Sequence, residues 1–297
     1  MEITKEAQLT GHSGAIYCLE YYKESLFFSA GFDNLVVVWN AASFEEGVVV
    51  AKLKSKAISL LYIKQLNWLV AGQSTGGVHI IDLDSKEEIK LFQGHVGMVY
   101  ALHYNKNLNE LYVGAEDGKL SSWDLTTLKS KSIINLFRGK IREIRQFEDL
   151  LYIGVGDGSI GVFTVDGLRE IAFISEHMNG FSVNTIMRLG NYILSGSRDG
   201  HINVVNISSS KYVLKQRIPA HNYAIYKIVQ SPNKKYYASA SRDKSIKIWD
   251  LNHNFIAKID SVSNGGHLAS VNNLIWFDNY LISTGDDKTI IIWKIVD

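Results

Sequence analysis

Apolar and polar positions along this chain alternate with a period of two, in short runs. Residues 35–39, 246–249 and 290–293 read LVVVW, IKIW and IIIW, and Asp, Gly or Asn bounds each run. β-Branched and aromatic residues in runs of this length, closed by turn formers, predict strands. Stretches long enough for a helix show no 3.6-residue stripe, so the pattern predicts an all-β chain.

The runs recur at a fixed phase. SASRDKSIKIWD, residues 239–250, returns as STGDDKTIIIW at 283–293 and as SAGFDNLVVVW at 29–39. Weaker copies centre on Asp117 with Trp123, Asp157 with Phe163, Asp199 with Val205, and Thr75 with Ile81. The second marker always lies six residues after the first, and successive first markers are 40 to 44 residues apart. In the sixth unit the pattern predicts four strands, at residues 224–230, 235–239, 245–250 and 255–260. Seven four-stranded units of this length predict a seven-bladed β-propeller occupying residues 1–297 as one domain. A sandwich of hairpins would impose no fixed period.

These residues resemble the WD-repeat propellers. Gly11-His12, Gly94-His95, Ala220-His221 and Gly266-His267 each place the histidine 20 to 22 residues before a marker Asp, and His177 holds the same place in the fifth unit. Trp123-Asp124 and Trp249-Asp250 supply the dipeptide of the family, with Trp39-Asn40 and Trp293-Lys294 as relatives. The resemblance implies that residues 3–9 form the outer strand of blade 7, whose own strands end with 289–295. Blades 2, 4 and 5 depart from the pattern: Lys56 and Thr75, Gly139-Lys140 and Phe163, and Val205 stand at the marker places. Packing, without a complete polar network, is expected to build these three.

The balance of 31 basic and 30 acidic residues carries no surplus for general polyanion binding. The single cysteine, Cys18, excludes an internal disulfide framework and fits a reducing, cytoplasmic setting. Charges in residues 1–6 argue against a signal peptide, and no apolar run is long enough to span a membrane.

His221, Ser239 and Asp243 contain the residue types of a hydrolase triad. The set recurs, with its tryptophan, as His12, Ser29, Asp33 and Trp39, as His267, Ser283, Asp287 and Trp293, and in the sixth unit with Trp249. Catalysis needs a constellation once, whereas a brace is needed in every blade, and the resemblance implies a structural hydrogen-bond network. Histidines on separate blades cannot share a metal ion, so neither metal nor cofactor is expected. The loop at 72–77 lacks the Lys-Ser/Thr of a phosphate-binding loop and precedes a strand.

The resemblance also implies a top-face rim with two positions per blade, one early on the first strand and one before the marker. Phase puts Tyr17, Tyr100, Arg142 and Tyr226 in the first set and Phe32, Arg198 and Arg242 in the second. Tyr and Arg are enriched in interface hot spots. Arg142, Arg198 and Arg242 are expected to form a basic side, with Glu116 and Asp286 away from it. The resulting expectation is a non-enzymatic, monomeric scaffold that docks a protein or peptide, with the arginines selecting an acidic segment. A rim enzyme would need a carboxylate or histidine cluster found once, and nucleic-acid binding through the arginines is the remaining alternative.

Overall fold

The computed structural model describes residues 1–208 and 211–296, leaving Ser209, Ser210 and Asp297 outside the description. Among the described residues the strands form seven four-stranded antiparallel sheets. Six sheets are built from consecutive strands. In blade 1 these are Ile16–Lys23, Leu26–Gly31, Leu35–Asn40 and Val48–Lys52. The seventh takes Val271–Phe277, Tyr280–Gly285 and Ile290–Val296 from one end of the chain and Glu2–Leu9 from the other. Ile3 pairs with Ile295 and Leu9 with Ile290, the closure that the resemblance implies. The fold is a seven-bladed β-propeller. Among the described residues one element lies outside the strand pattern, a helical turn at Ser261–Asn264. Asp260 caps it by accepting from the Val262 and Ser263 amides, and Gly265 ends it in the left-handed region.

One backbone conformation recurs at the residue after each marker. Asn34, Gly76, Gly118, Gly158, Gly200, Lys244 and Lys288 all have positive φ, between 66° and 100°. The tight turn from second to third strand needs a left-handed residue there, which Gly supplies without strain and Asn tolerates. Gly118 has a further reason: a Cβ would lie 2.3 Å from the Phe137 carbonyl oxygen.

The sheets belong to two compact units, residues 1–57 with the chain from Pro219 onward, and Ile58–Ile218. In the first, Ile246, Ile248, Leu274, Leu281 and Trp293 form one buried cluster, and Leu9, Ile16, Phe27, Trp39 and Ile290 another. In the second, Val70, Leu111 and Trp123 pack together, as do Leu120, Ile144 and Phe163. Each cluster draws on adjoining sheets, so every blade buries its apolar face against a neighbour in its own unit. Burying one such side chain is worth about 1.5–3 kcal/mol.

Candidate partner-binding rim and its braces

The repeated polar set is a directed chain of hydrogen bonds. In blade 1 the Trp39 indole N–H donates to Ser29 Oγ at 2.7 Å, and Ser29 lies 2.7 Å from His12 Nε2. His12 Nδ1 lies 2.8 Å from Asp33 Oδ2, which also accepts the Ser13 amide. A neutral imidazole with its proton on Nδ1 satisfies every member. Blades 6 and 7 repeat the arrangement through Trp249, Ser239, His221 and Asp243, and through Trp293, Ser283, His267 and Asp287. Burial lowers the His221 pKa, consistent with a neutral ring. Burial works against the charge on Asp243 and Asp287. The facing histidine and the other hydrogen-bond donors outweigh it and hold both carboxyls low, Asp287 at about 2.

Blade 3 builds the same network from a different strand. Val113 stands where the other complete blades carry serine, and Ser121 on the third strand takes over. Its Oγ lies 2.7 Å from His95 Nε2 and accepts from Trp123 Nε1 at 2.8 Å. In blade 5 His177 reaches Ser195 and Asp199, and the Arg217 guanidinium lies 3.2 Å from Asp199 Oδ2. Val205 offers no indole N–H to that serine. In blade 4 Phe137, Phe163 and Phe173 meet edge to face over Gly161, with ring centroids 6.0–6.2 Å apart. Blade 2 has a buried His79 bonded to Glu88.

The two rim positions of a blade bracket one backbone hydrogen bond. The amides of Phe32, Glu116, Gly156, Arg198, Arg242 and Asp286 donate to the carbonyls of Ala15, Met98, Lys140, Ser182, Ala224 and Ser270, at 2.8–3.0 Å. Each acceptor lies two residues before a first-set position, so the bond fixes both side chains of a blade at one end of its sheet.

Within the first unit, Phe32 is 49% exposed and the Lys56 ammonium sits 4.1 Å above its ring. Arg242 is exposed, while Tyr17 and Tyr226 are half-buried. Burial, then the charge of Asp286, raises the Tyr17 pKa. Asp286 accepts from Asn272 at 2.8 Å.

Within the second unit, the Arg142 guanidinium lies 3.9 Å from the Tyr100 ring centroid and donates through Nε to Asn184 at 3.2 Å. Arg198 is exposed, 5.9 Å from the Phe181 ring. Glu116 is not remote from the arginines as the phase suggested. It ion-pairs with Lys140, and the Lys140 hydrogen bond, the Met98 amide and the nearby Arg142 charge lower its pKa. Phase locates a residue on its blade; the reach of a long side chain toward the next blade does not follow from it.

Four segments match the family model described as WD domain, G-beta repeat: residues 3–40, 86–124, 212–250 and 260–294, together about half of the chain. The protein belongs to the WD-repeat family. The matched segments end in blades 1, 3, 6 and 7, the four whose His–Ser–Asp–Trp networks are complete. The chain is 24% identical to Protein tipD of Dictyostelium discoideum, over 96% of its own length and 48% of that protein's. It is 26% identical to a Striatin homolog of the same organism, over 83% and 35%. It is also 24% identical to Ribosome biogenesis protein YTM1 of Meyerozyma guilliermondii, over 97% and 52%. The chain therefore spans about half or less of the length of these relatives. Among solved structures, the WD40 propeller domain of Doa1 superposes with a TM-score of 0.85 at 18% identity, covering 98% of this chain and 97% of that one. WD-repeat propellers are generally protein-interaction scaffolds.

Proposed function

We propose that this WD-repeat protein acts as a single-domain, non-enzymatic scaffold whose top-face rim docks an extended acidic segment of a partner protein. The observation that carries this reading is the Arg142–Tyr100 stack. It holds a guanidinium in place through an aromatic face and Asn184, half-exposed at the braced end of its blade. Pre-ordered side chains lose little entropy when a partner arrives, and a stacked guanidinium keeps donors for a carboxylate. Arg198 in the same unit, and Arg242 and Phe32 in the other, are exposed as well and offer further guanidinium donors and apolar surface. A cytoplasmic, monomeric state completes the proposal.

The test compares wild type, Tyr100→Ala/Tyr226→Ala and Arg142→Glu/Arg198→Glu/Arg242→Glu for capture of partners from lysate, with a melting curve for each. Loss of the same protein from both folded variants, and mapping of its contact to an acidic stretch, supports the rim. Retention of every partner by both variants refutes it. A hot-spot aromatic is worth about 2 kcal/mol or more, roughly a thirtyfold loss of affinity.

A further inference from the structure

Blade 1 differs from other blades at its outer strand. In blades 2, 3, 4, 6 and 7 the third and outer strands shift register immediately before the Trp position, for example between Ser122 and Trp123 or Ile248 and Trp249. In blade 1 the shift comes two residues earlier, between Val36 and Val37. The connection to its outer strand runs to seven residues, 41–47, against four or five in blades 2, 3, 4 and 6. Blades 3, 4, 6 and 7 pair the position with Ser130, Glu170, Phe255 or Lys5, whereas here Gly47 lies against the indole. A Cβ on Gly47 would come within 2.8 Å of the Trp39 ring and 2.4 Å of Val37.

The displaced strand flanks a cleft of about 460 Å³, lined on its apolar side by Leu35, Phe44 and Val49 over the buried Trp39, and elsewhere by polar Gln8 and Thr10. That volume is in the range of sites that bury a ligand or an anchoring side chain. Glu45 and Glu46 also line it, both exposed, and among the described residues neither carboxylate has an ion-pair partner. Val49, paired with Val37 on the cleft face of the outer strand, is 53% exposed. Lys52 stands at the opposite end of that strand, paired with Leu35, so the negative charge is confined to the Glu45 end.

We infer that this cleft is a second docking site, separate from the rim. Its occupant is a segment of a partner protein with one bulky aliphatic or aromatic residue beside lysine or arginine. The apolar side chain enters against Leu35, Phe44 and Val49, and the cation meets Glu45 and Glu46. Both requirements come from one segment: the only polar side chains of the lining besides the glutamates are the neutral Gln8 and Thr10, and the acidic lip repels an acid.

A library of random displayed peptides, panned on the full chain, tests this. Wild type is compared with Val49→Lys, with Glu45→Lys/Glu46→Lys and with the rim variant Arg198→Glu. The substituted side chains are exposed and should leave folding intact, which a melting curve checks; the glutamate pair serves alone if Val49→Lys misfolds. The expected result is a peptide class with an apolar residue adjacent to Lys or Arg. It loses at least tenfold in binding to both cleft variants and none to Arg198→Glu. The inference is overturned if no class separates wild type from the cleft variants, or if the class that does is acidic.

Discussion

Asp286 and Asp287 are neighbours with the same charge, and replacing each by alanine separates the bracing role from the rim role. Asp287 is within 3.0 Å of His267 Nδ1 and accepts the Leu268 amide at 2.8 Å and the Thr289 hydroxyl at 2.8 Å. His267 is buried, so its donor finds little water once the carboxylate is gone. A hydrogen bond to a charged group is worth about 1.5–3 kcal/mol, and an unpaired buried donor costs a similar amount. The exposed Leu268 amide regains water, leaving an expected loss of about 2–3 kcal/mol for Asp287→Ala. Asp286→Ala removes an exposed carboxylate bonded to Asn272, and should cost about 0.5 kcal/mol. With a urea slope of about 3 kcal/mol/M, the midpoints fall by about 1 M and 0.2 M respectively.

The same pair gives a pH signature. The Asp287 carboxyl is held at about 2 against an ordinary 3.8, despite burial, by the His267 contact and the Thr289 and Leu268 donors. A folded pKa below the unfolded one adds stability that is present above about pH 4 and disappears as pH falls through about 2. A shift of that size, discounted for water reaching the turn, contributes about 1–2 kcal/mol. The gap between wild type and Asp287→Ala should therefore be full at neutral pH and narrow below pH 4. Equal midpoints for the two variants, or a gap that does not change with pH, would refute the reasoning.

Deleting residues 1–9 should bare the edge of the Ile290–Val296 strand and produce oligomers in light scattering; a monomer with unchanged melting temperature would count against closure. Ser121→Ala should cost about 2 kcal/mol by stranding His95 and Trp123. Adding Val113→Ser should recover at least half of that in urea melts, because serine occupies the same position in blades 1, 6 and 7. Gly161→Ala should cost about 1–3 kcal/mol, since its Cβ would fall 2.7 Å from the Phe163 ring and 2.8 Å from Phe137. A melting temperature unchanged by that methyl group would mean the aromatic trio is loosely packed.

The period carried the blades and their four strands, because the same short β-branched runs recur in phase, while the joining of the two chain ends came from the resemblance to WD-repeat propellers. It did not reveal the brace of blade 3. The repeat puts the bracing serine on the second strand, where Val113 stands, so it gave no reason to look on the third, where alternation from Trp123 selects Ser121 over Ser122. Nor did it show Phe137 filling blade 4, since that residue precedes the Gly139-Lys140 place where a histidine was sought. At the rim, phase located Tyr100 and Arg142 separately, and only geometry makes them one unit with Glu116 and Lys140 beside it. The long connection at 41–47 does not disturb the markers of the repeat, so the period did not single it out. Its effect depends on where the bulge falls, and the run of valines across both strands gives several registers similar apolar pairings.

The pairing of Glu2 with Val296 sets the response of the molecule to tension. The two strands are antiparallel, and these partners sit together at one end of the ladder. Force applied between them acts across the strands, along the hydrogen bonds, so it loads one pair at a time and peels Ile3 from Ile295, then Thr4 from Lys294. Such a seam opens like a zipper at low force, and a partner anchored to both ends would separate the outer strand of blade 7 before any other sheet yields.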